Sequence, residues 1–269
     1  MKLKILDTKN TETGSIDLPV QFSEEIRPDL IKRAVEVIQA NSRQKYGAKP
    51  GAGLRVSADI SRRRHNFKGS YGHGISRVPR KIMSARGTRF NWVGAEAPGT
   101  VGGRRAHPPK PAKNWEKKIN KQEKRKAIRS AMSATVVSAL VEKRGHKVPS
   151  AYPFIAETNF ESLSKTDEVL KVLLSYGLKD ELERSSIKKI RAGKGTMRGR
   201  KYKTRVGPLL IVSQPCELQK AAKNIPGVDI SVVSRINVDL LAPGTDYGRL
   251  TIWTKAAIEK LAKENLFNQ

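Results

Sequence analysis

Between Tyr46 and Lys113 the chain carries 15 Lys and Arg against only Asp59 and Glu96, so 68 residues hold a net charge of +13. The same stretch contains 11 of the 21 glycines. A segment so charged cannot bury itself, and a loop beyond about 15 residues without structure of its own is either functional or disordered. A bare flexible tether lacks the apolar anchors found here, among them Leu54, Ile60, Phe67, Tyr71, Ile75, Val78, Ile82, Met83, Phe90, Trp92 and Val93. Only Ile75, Val78 and Ile82 fall at helical spacing, and Pro79 limits any helix there to a short piece. The composition therefore predicts an irregular extension, loose alone and ordered against an anionic partner that supplies its counter-charge.

The net charge of +28 is concentrated in three places. Besides the +13 stretch, Glu116 to Arg129 contributes +5, and Lys188 to Arg205 has nine basic residues and no acid. What is left is nearly neutral, with 22 basic and 21 acidic residues. Segregation of this kind is the electrostatic footprint of a nucleic-acid binder, because clustered like charges repel one another unless a polyanion neutralises them. A merely solubilising surface would mix the signs.

The two segments flanking the extension, 1–45 and 114–269, read as one α/β body and 46–113 as an insertion after its first helix. Lys2 to Leu6 alternates and can pair with Ile16 to Val20 across a turn at Gly14. Pro28 opens an amphipathic helix through Leu30, Ile31, Ala34, Val35 and Ile38 to about Arg43. Asn114 is the expected N-cap of a helix running to Arg144, cationic in its first half and apolar in its second, stopped at Gly145. Beyond Pro153, short apolar runs at Phe154 to Ala156, Leu209 to Val212, Ile230 to Val233 and Leu250 to Trp253 alternate with helical stretches. One of these has a capping-box-like start at Ser164 and Asp167, one spans Glu217 to Lys223, a helical turn covers Asn237 to Leu241, and Thr254 caps the last. Strands alternating with helices predict a mainly parallel sheet covered by helices.

Catalytic and cofactor readings find little support. His65, His73 and His107 lie in the cationic stretch without ligand spacing, so no metal site is expected. Ala192-Gly193-Lys194-Gly195-Thr196 lacks the upstream glycine of a P-loop, and no Gly-x-Gly-x-x-Gly follows the first strand. Cys216 is the only cysteine. An RNA-processing enzyme would need clustered acids or a nucleotide loop, and neither is present. No run of about 18 apolar residues suits a membrane span, and the N-terminus lacks the apolar core of a signal peptide, so a cytoplasmic protein is expected.

RNA is favoured over DNA because no helix-turn-helix, zinc finger or basic zipper supplies a compact reading head. An irregular arm bearing Arg and aromatic planes suits folded RNA with its crevices and splayed bases. The candidate contacts in the extension are Lys49, Arg55, Arg62, Arg63, Arg64, His65, Lys68, Tyr71, Arg77, Arg80, Lys81, Arg86, Arg89, Trp92, Arg104, Arg105, His107 and Lys110. The second segment offers Lys117, Lys118, Lys121 and Arg125. The third offers Lys188, Lys189, Arg191, Lys194, Arg198, Arg200, Lys201, Lys203 and Arg205.

The order of elements, with the strings Gln39-Ala-Asn-Ser-Arg-Gln-Lys-Tyr-Gly47, Ala106-His-Pro-Pro-Lys110, Ile190-Arg-Ala-Gly-Lys-Gly-Thr-Met-Arg-Gly-Arg-Lys-Tyr202 and Leu240-Leu-Ala-Pro-Gly244, resembles the archaeal form of the large-subunit ribosomal protein four family over essentially the whole chain. The resemblance implies a non-enzymatic constituent of the large ribosomal subunit without cofactor or homo-oligomer. Its expected partners are large-subunit rRNA, other large-subunit proteins and, indirectly, the nascent chain. By the same resemblance, 46–113 threads the rRNA to the wall of the peptide exit tunnel, with Arg62, Arg63, Arg64 and His65 at its tip. The long C-terminal extension of eukaryotic members is not expected.

Overall fold

Strand β1 (Lys2–Leu6) sits near one edge of a six-stranded sheet in a computed structural model that describes residues 1–268. It pairs antiparallel with β2 (Glu12–Asp17), and helix α1 (Pro28–Asn41) follows, with Pro28 in its first turn. Next come β3 (Arg80–Arg86) and β4 (Arg89–Gly94), then α2 (Lys121–Val136) and α3 (Ser138–Lys143). The C-terminal half runs β5 (Phe154–Ala156), α4 (Thr166–Ser175), α5 (Lys179–Ser186), β6 (Lys189–Ile190), β7 (Tyr202–Lys203) and β8 (Leu209–Val212). It closes with α6 (Leu218–Lys223), β9 (Asp229–Val232), α7 (Val238–Leu241), β10 (Thr251–Thr254) and α8 (Lys255–Lys263).

Two units result: Met1–Ser42 with Glu116 onward, and Arg43–Trp115. In the first, the sheet order is β2-β1-β5-β10-β8-β9, and every pairing except β1 with β2 is parallel. The pleat sends alternate side chains to opposite faces, which builds two cores from one sheet. Leu3, Ile5, Ile155, Leu209, Ile211 and Trp253 face one side, where α1, α2, α7 and α8 bury Ile31, Val35, Met132, Leu241 and Ile258. Leu6, Phe154, Leu210, Val212 and Ile252 face the other, against Val141 of α3, Leu173 of α4 and Leu218 of α6. Because both faces are covered, Leu209 to Val212 is buried at every position, and its sequence runs apolar without alternation.

The cap at Thr254 forms as the sequence predicts, and a second forms at the head of the expected helical turn at Asn237. The Asn237 side chain accepts from the Leu240 N–H at 2.8 Å, and Thr254 Oγ1 accepts from the Ala257 N–H at 3.3 Å. Three expectations are corrected. The long helix begins at Lys121 rather than after Asn114, and it breaks at Val137, whose φ of −89° and ψ of 102° are extended. Tyr152 explains part of that break, since its buried hydroxyl donates to the Thr135 carbonyl and stabilises an end to the helix there. Helix α4 starts at Thr166 after Lys165, without the side-chain cap expected from Ser164. Helix α5, which the sequence pattern does not announce, is held by the buried Glu181 and Ser185.

Candidate nucleic-acid interface

Among the described residues of the Arg43–Trp115 unit only Ser70 and Ala95 are buried, so apolar burial does not hold this segment together. Close backbone approach and ring contacts do. At its base the two arms meet: the Ala48 N–H donates to the Pro109 carbonyl at 2.9 Å, and a Cβ on Gly47 would lie 2.1 Å from Pro111 Cδ. Farther along, Gly53 passes Arg104 so closely that a Cβ would stand 2.5 Å from that residue's Cβ. Trp115 is covered by the Arg43 guanidinium at 3.9 Å and the Lys113 ammonium at 4.2 Å, and it stacks with Tyr46.

The extension is less irregular than its composition predicts, because β3 and β4 form an antiparallel hairpin. Gly87 opens its two-residue turn at a φ of +58°, a left-handed value that glycine adopts without penalty. Ile82, expected at helical spacing with Ile75 and Val78, is a strand residue instead. The half-buried face of β4 carries Phe90 and Trp92, which stack at 5.3 Å; Phe67 meets Phe90 edge-on at 5.2 Å, and Arg80 lies over Trp92 at 5.5 Å. Arg77 covers Tyr71 at 4.7 Å.

Arg62, Arg63, Arg64 and His65 occupy an exposed turn closed by a Ser61–Gly69 bridge and an Asn66 amide that donates to Ser61 Oγ at 3.1 Å. Lys49, Arg55, Lys68, Lys81, Arg86, Arg89, Arg105, His107 and Lys110 are exposed as well. Asp59 and Glu96 form no ion pair among the described residues, which leaves this positive charge without an internal counterpart.

The third cationic segment is a small hairpin of β6 and β7. Its loop is shaped by Arg191, whose Nε donates to the Arg200 carbonyl at 3.1 Å and whose Nη2 donates to the Tyr202 carbonyl at 3.4 Å. Gly195 lets that side chain pass, since a Cβ there would stand 2.6 Å from Arg191 Cδ. So Arg191 is a structural member of the loop, while Lys188, Lys189, Lys194, Arg198, Arg200, Lys201, Lys203 and Arg205 remain exposed. In the second segment the charges divide. Lys117 pairs with Glu36 at 3.6 Å, and Lys126 and Arg129 pair with Glu24 at 3.7 and 2.8 Å. Lys118, Lys121 and Lys124 stay exposed and, with Arg125, make no ion pair among the described residues.

A buried network that the sequence did not single out fixes the start and end of the third segment. Glu181 accepts from Arg184 at 2.6 and 2.8 Å, from the Lys147 N–H at 2.9 Å and from His146 Nδ1–H at 2.7 Å. Arg184 also donates to the Val206 carbonyl at 2.7 Å, which ties α5 to the residue leading into β8. Burial raises the Glu181 pKa, but hydrogen bonds from Arg184, His146 and Lys147 outweigh it and hold the carboxyl at about 2, below its ordinary 4.5. Burial lowers His146 below its ordinary 6.5, against the opposing pull of Glu181.

Both shifts have the same sign. The unfolded chain takes up protons that the folded one refuses, so stability falls as pH drops below 6.5 and falls further between 4.5 and about 2. Thermal melts across this range will show that decline. Glu181→Gln will lower the melting temperature near neutrality and flatten the curve between pH 4.5 and 2.

Comparison with known proteins places this sequence among relatives. The family model described as "Ribosomal protein L4/L1 family" matches residues 16–264. A protein of Nanoarchaeum equitans named large ribosomal subunit protein uL4 is 48% identical over 268 residues, covering 99% of this chain and 100% of the relative. Proteins of the same name from Methanococcoides burtonii and Halobacterium salinarum are 47% and 39% identical; the matches cover 96% and 98% of this chain and 96% and 100% of those relatives.

Proposed function

Because the chain belongs to the ribosomal protein L4/L1 family, we propose that it is a structural constituent of the large ribosomal subunit, binding large-subunit rRNA through three cationic surfaces. Its role is architectural, not enzymatic. The observation that carries this reading is the positive charge of 46–113, with which Asp59 and Glu96 form no ion pair among the described residues, on a unit whose only buried described residues are Ser70 and Ala95. Ordering such a chain against its own self-repulsion requires a polyanion, and folded RNA also supplies crevices for Phe67, Tyr71, Phe90 and Trp92. In this reading the extension runs between rRNA helices to the wall of the exit tunnel. Arg62, Arg63, Arg64 and His65 lie at its tip, beside the path of the nascent chain. The nearly neutral surface outside the three cationic segments meets neighbouring large-subunit proteins, and the chain acts as a single copy in the cytoplasmic ribosome.

The β6–β7 hairpin offers a direct test. Replacing Arg198, Arg200 and Lys201 together by Glu exchanges three exposed cations for anions. Each lost phosphate contact removes roughly 0.7–0.9 from the slope of log affinity against log salt, so the slope will fall by about 2 and affinity by about 100-fold near 0.1 M salt. Unchanged affinity across a salt titration of large-subunit rRNA would remove this surface from the interface. Failure of the unsubstituted chain to sediment with large subunits through high salt would overturn the reading as a whole.

A further inference from the structure

The turn at 61–69 and the β3–β4 hairpin together border a solvent-open cavity of about 600 Å³, within the range of small-ligand sites. Three rings line it, Phe67, Tyr71 and Phe90, beside Arg63, Arg64 and Lys68. No carboxylate reaches it. From this juxtaposition of ring faces and cations we infer that the cavity is a receptor for a single unpaired nucleotide of the bound RNA, its base stacked on the rings and its phosphates on Arg63, Arg64 and Lys68. The inference rests on the RNA-binding reading and adds a specific occupant to it.

Four observations point to a receptor rather than an incidental hollow. The rings are braced from outside the cavity: Trp92 stacks on Phe90, and Arg77 lies over Tyr71, yet neither lines the space. Bracing of this kind fixes an aromatic face before the ligand arrives, which is how stacking platforms accept bases of any sequence. Phe67 lines the cavity and is 66% exposed, so its ring is available to a ligand. His65 and Lys68 hold φ values of +59° and +61°, a region uncommon for residues other than glycine, and such strain concentrates at ligand clamps. The polar groups left at the rim, His65, His73 and the Asn66 amide, can hydrogen-bond a base edge. A nascent peptide is the other conceivable occupant, but it lacks the regular negative charge that three cations and no acid would select.

The test uses the full chain bound to large-subunit rRNA. Ultraviolet irradiation followed by mass spectrometry will find one nucleotide joined to the peptide containing Phe67 and Tyr71, and chemical probing will find that nucleotide unpaired. Phe67→Ala will abolish the crosslink and weaken binding about ten-fold, whereas Phe67→Tyr will retain both. If rRNA binding keeps its affinity and salt dependence in Phe67→Ala and no crosslink appears in either chain, the receptor is wrong and the wider RNA reading stands. If the unsubstituted chain does not bind rRNA at all, both fall. Crosslinks from these residues to nascent peptide in translating subunits, with none to rRNA, would reassign the cavity and overturn the inference.

Discussion

A chain in which residues 47–111 are replaced by a short Gly/Ser bridge will retain the circular dichroism and cooperative melting of the α/β body, while its affinity for large-subunit rRNA falls by roughly 100-fold or more at physiological salt. The folding half of this expectation follows from where the body keeps its core. Both apolar clusters, on either face of the six-stranded sheet, draw their buried residues from outside 43–115. The ends that the bridge must join are already adjacent. The Lys117 N–H donates to Asn41 Oδ1 at 2.9 Å, and the Asn41 amide donates to the Lys117 carbonyl at 3.2 Å. Loop-closure entropy grows only slowly with length, so shortening the connection costs nothing and gains slightly. The binding half follows from charge, since the bridge removes +12 of the chain's +28, the largest share of the three cationic segments. Loss of the helical signal would show that the extension is part of the folding unit; unchanged affinity would move the interface to the body alone.

What the sequence made legible follows physical range. Continuous apolar runs such as Leu209 to Val212 are strands because both sheet faces are covered, and that pattern is local. Pro28 and Thr254 mark helix starts by chemistry confined to one turn. The break at Val137 was not legible, because the small apolar residues on both sides keep helical spacing and the interruption depends on Tyr152, distant in sequence. Helix α5 escaped for a similar reason: its buried Glu181 reads as a surface residue until His146, Arg184 and the Lys147 N–H surround it. In the candidate interface the cations were visible from composition alone. Their division was not, since Lys117 and Arg129 are neutralised by Glu36 and Glu24 from remote parts of the chain. The β3–β4 hairpin was obscured because Arg80 to Arg86 in β3 is almost wholly exposed and shows no alternation to match that of Phe90 and Trp92 in β4.

Replacing the buried Arg249 with Met will lower folding stability by about 2–4 kcal/mol, the cost of leaving two buried carbonyls without their donor, because the Asp229 side chain is 55% exposed and is solvated by water once unpaired. The side chain is 1% exposed and lies immediately before β10. Its Nε donates to the Gly207 carbonyl at 3.0 Å, one Nη donates to the Leu240 carbonyl at 2.9 Å, and the other reaches Asp229 at 2.5 Å. These partners stand at the entrance to β8, on α7 and at the start of β9, so one planar group joins three elements that no local pattern connects. Met fills similar volume but leaves Gly207 and Leu240 without their donor, and an unsatisfied buried carbonyl costs more than the bond itself contributed. Lys at 249 keeps the charge yet offers a single ammonium in place of a fork, so it will recover only part of the loss. Urea titrations of the three chains will order them Arg, Lys, Met in midpoint, with slopes unchanged if each remains two-state. Equal midpoints for Arg and Met would mean that the cavity relaxes or water replaces the donor. The guanidinium would then be a passenger in the fold rather than the joint between its strands and α7.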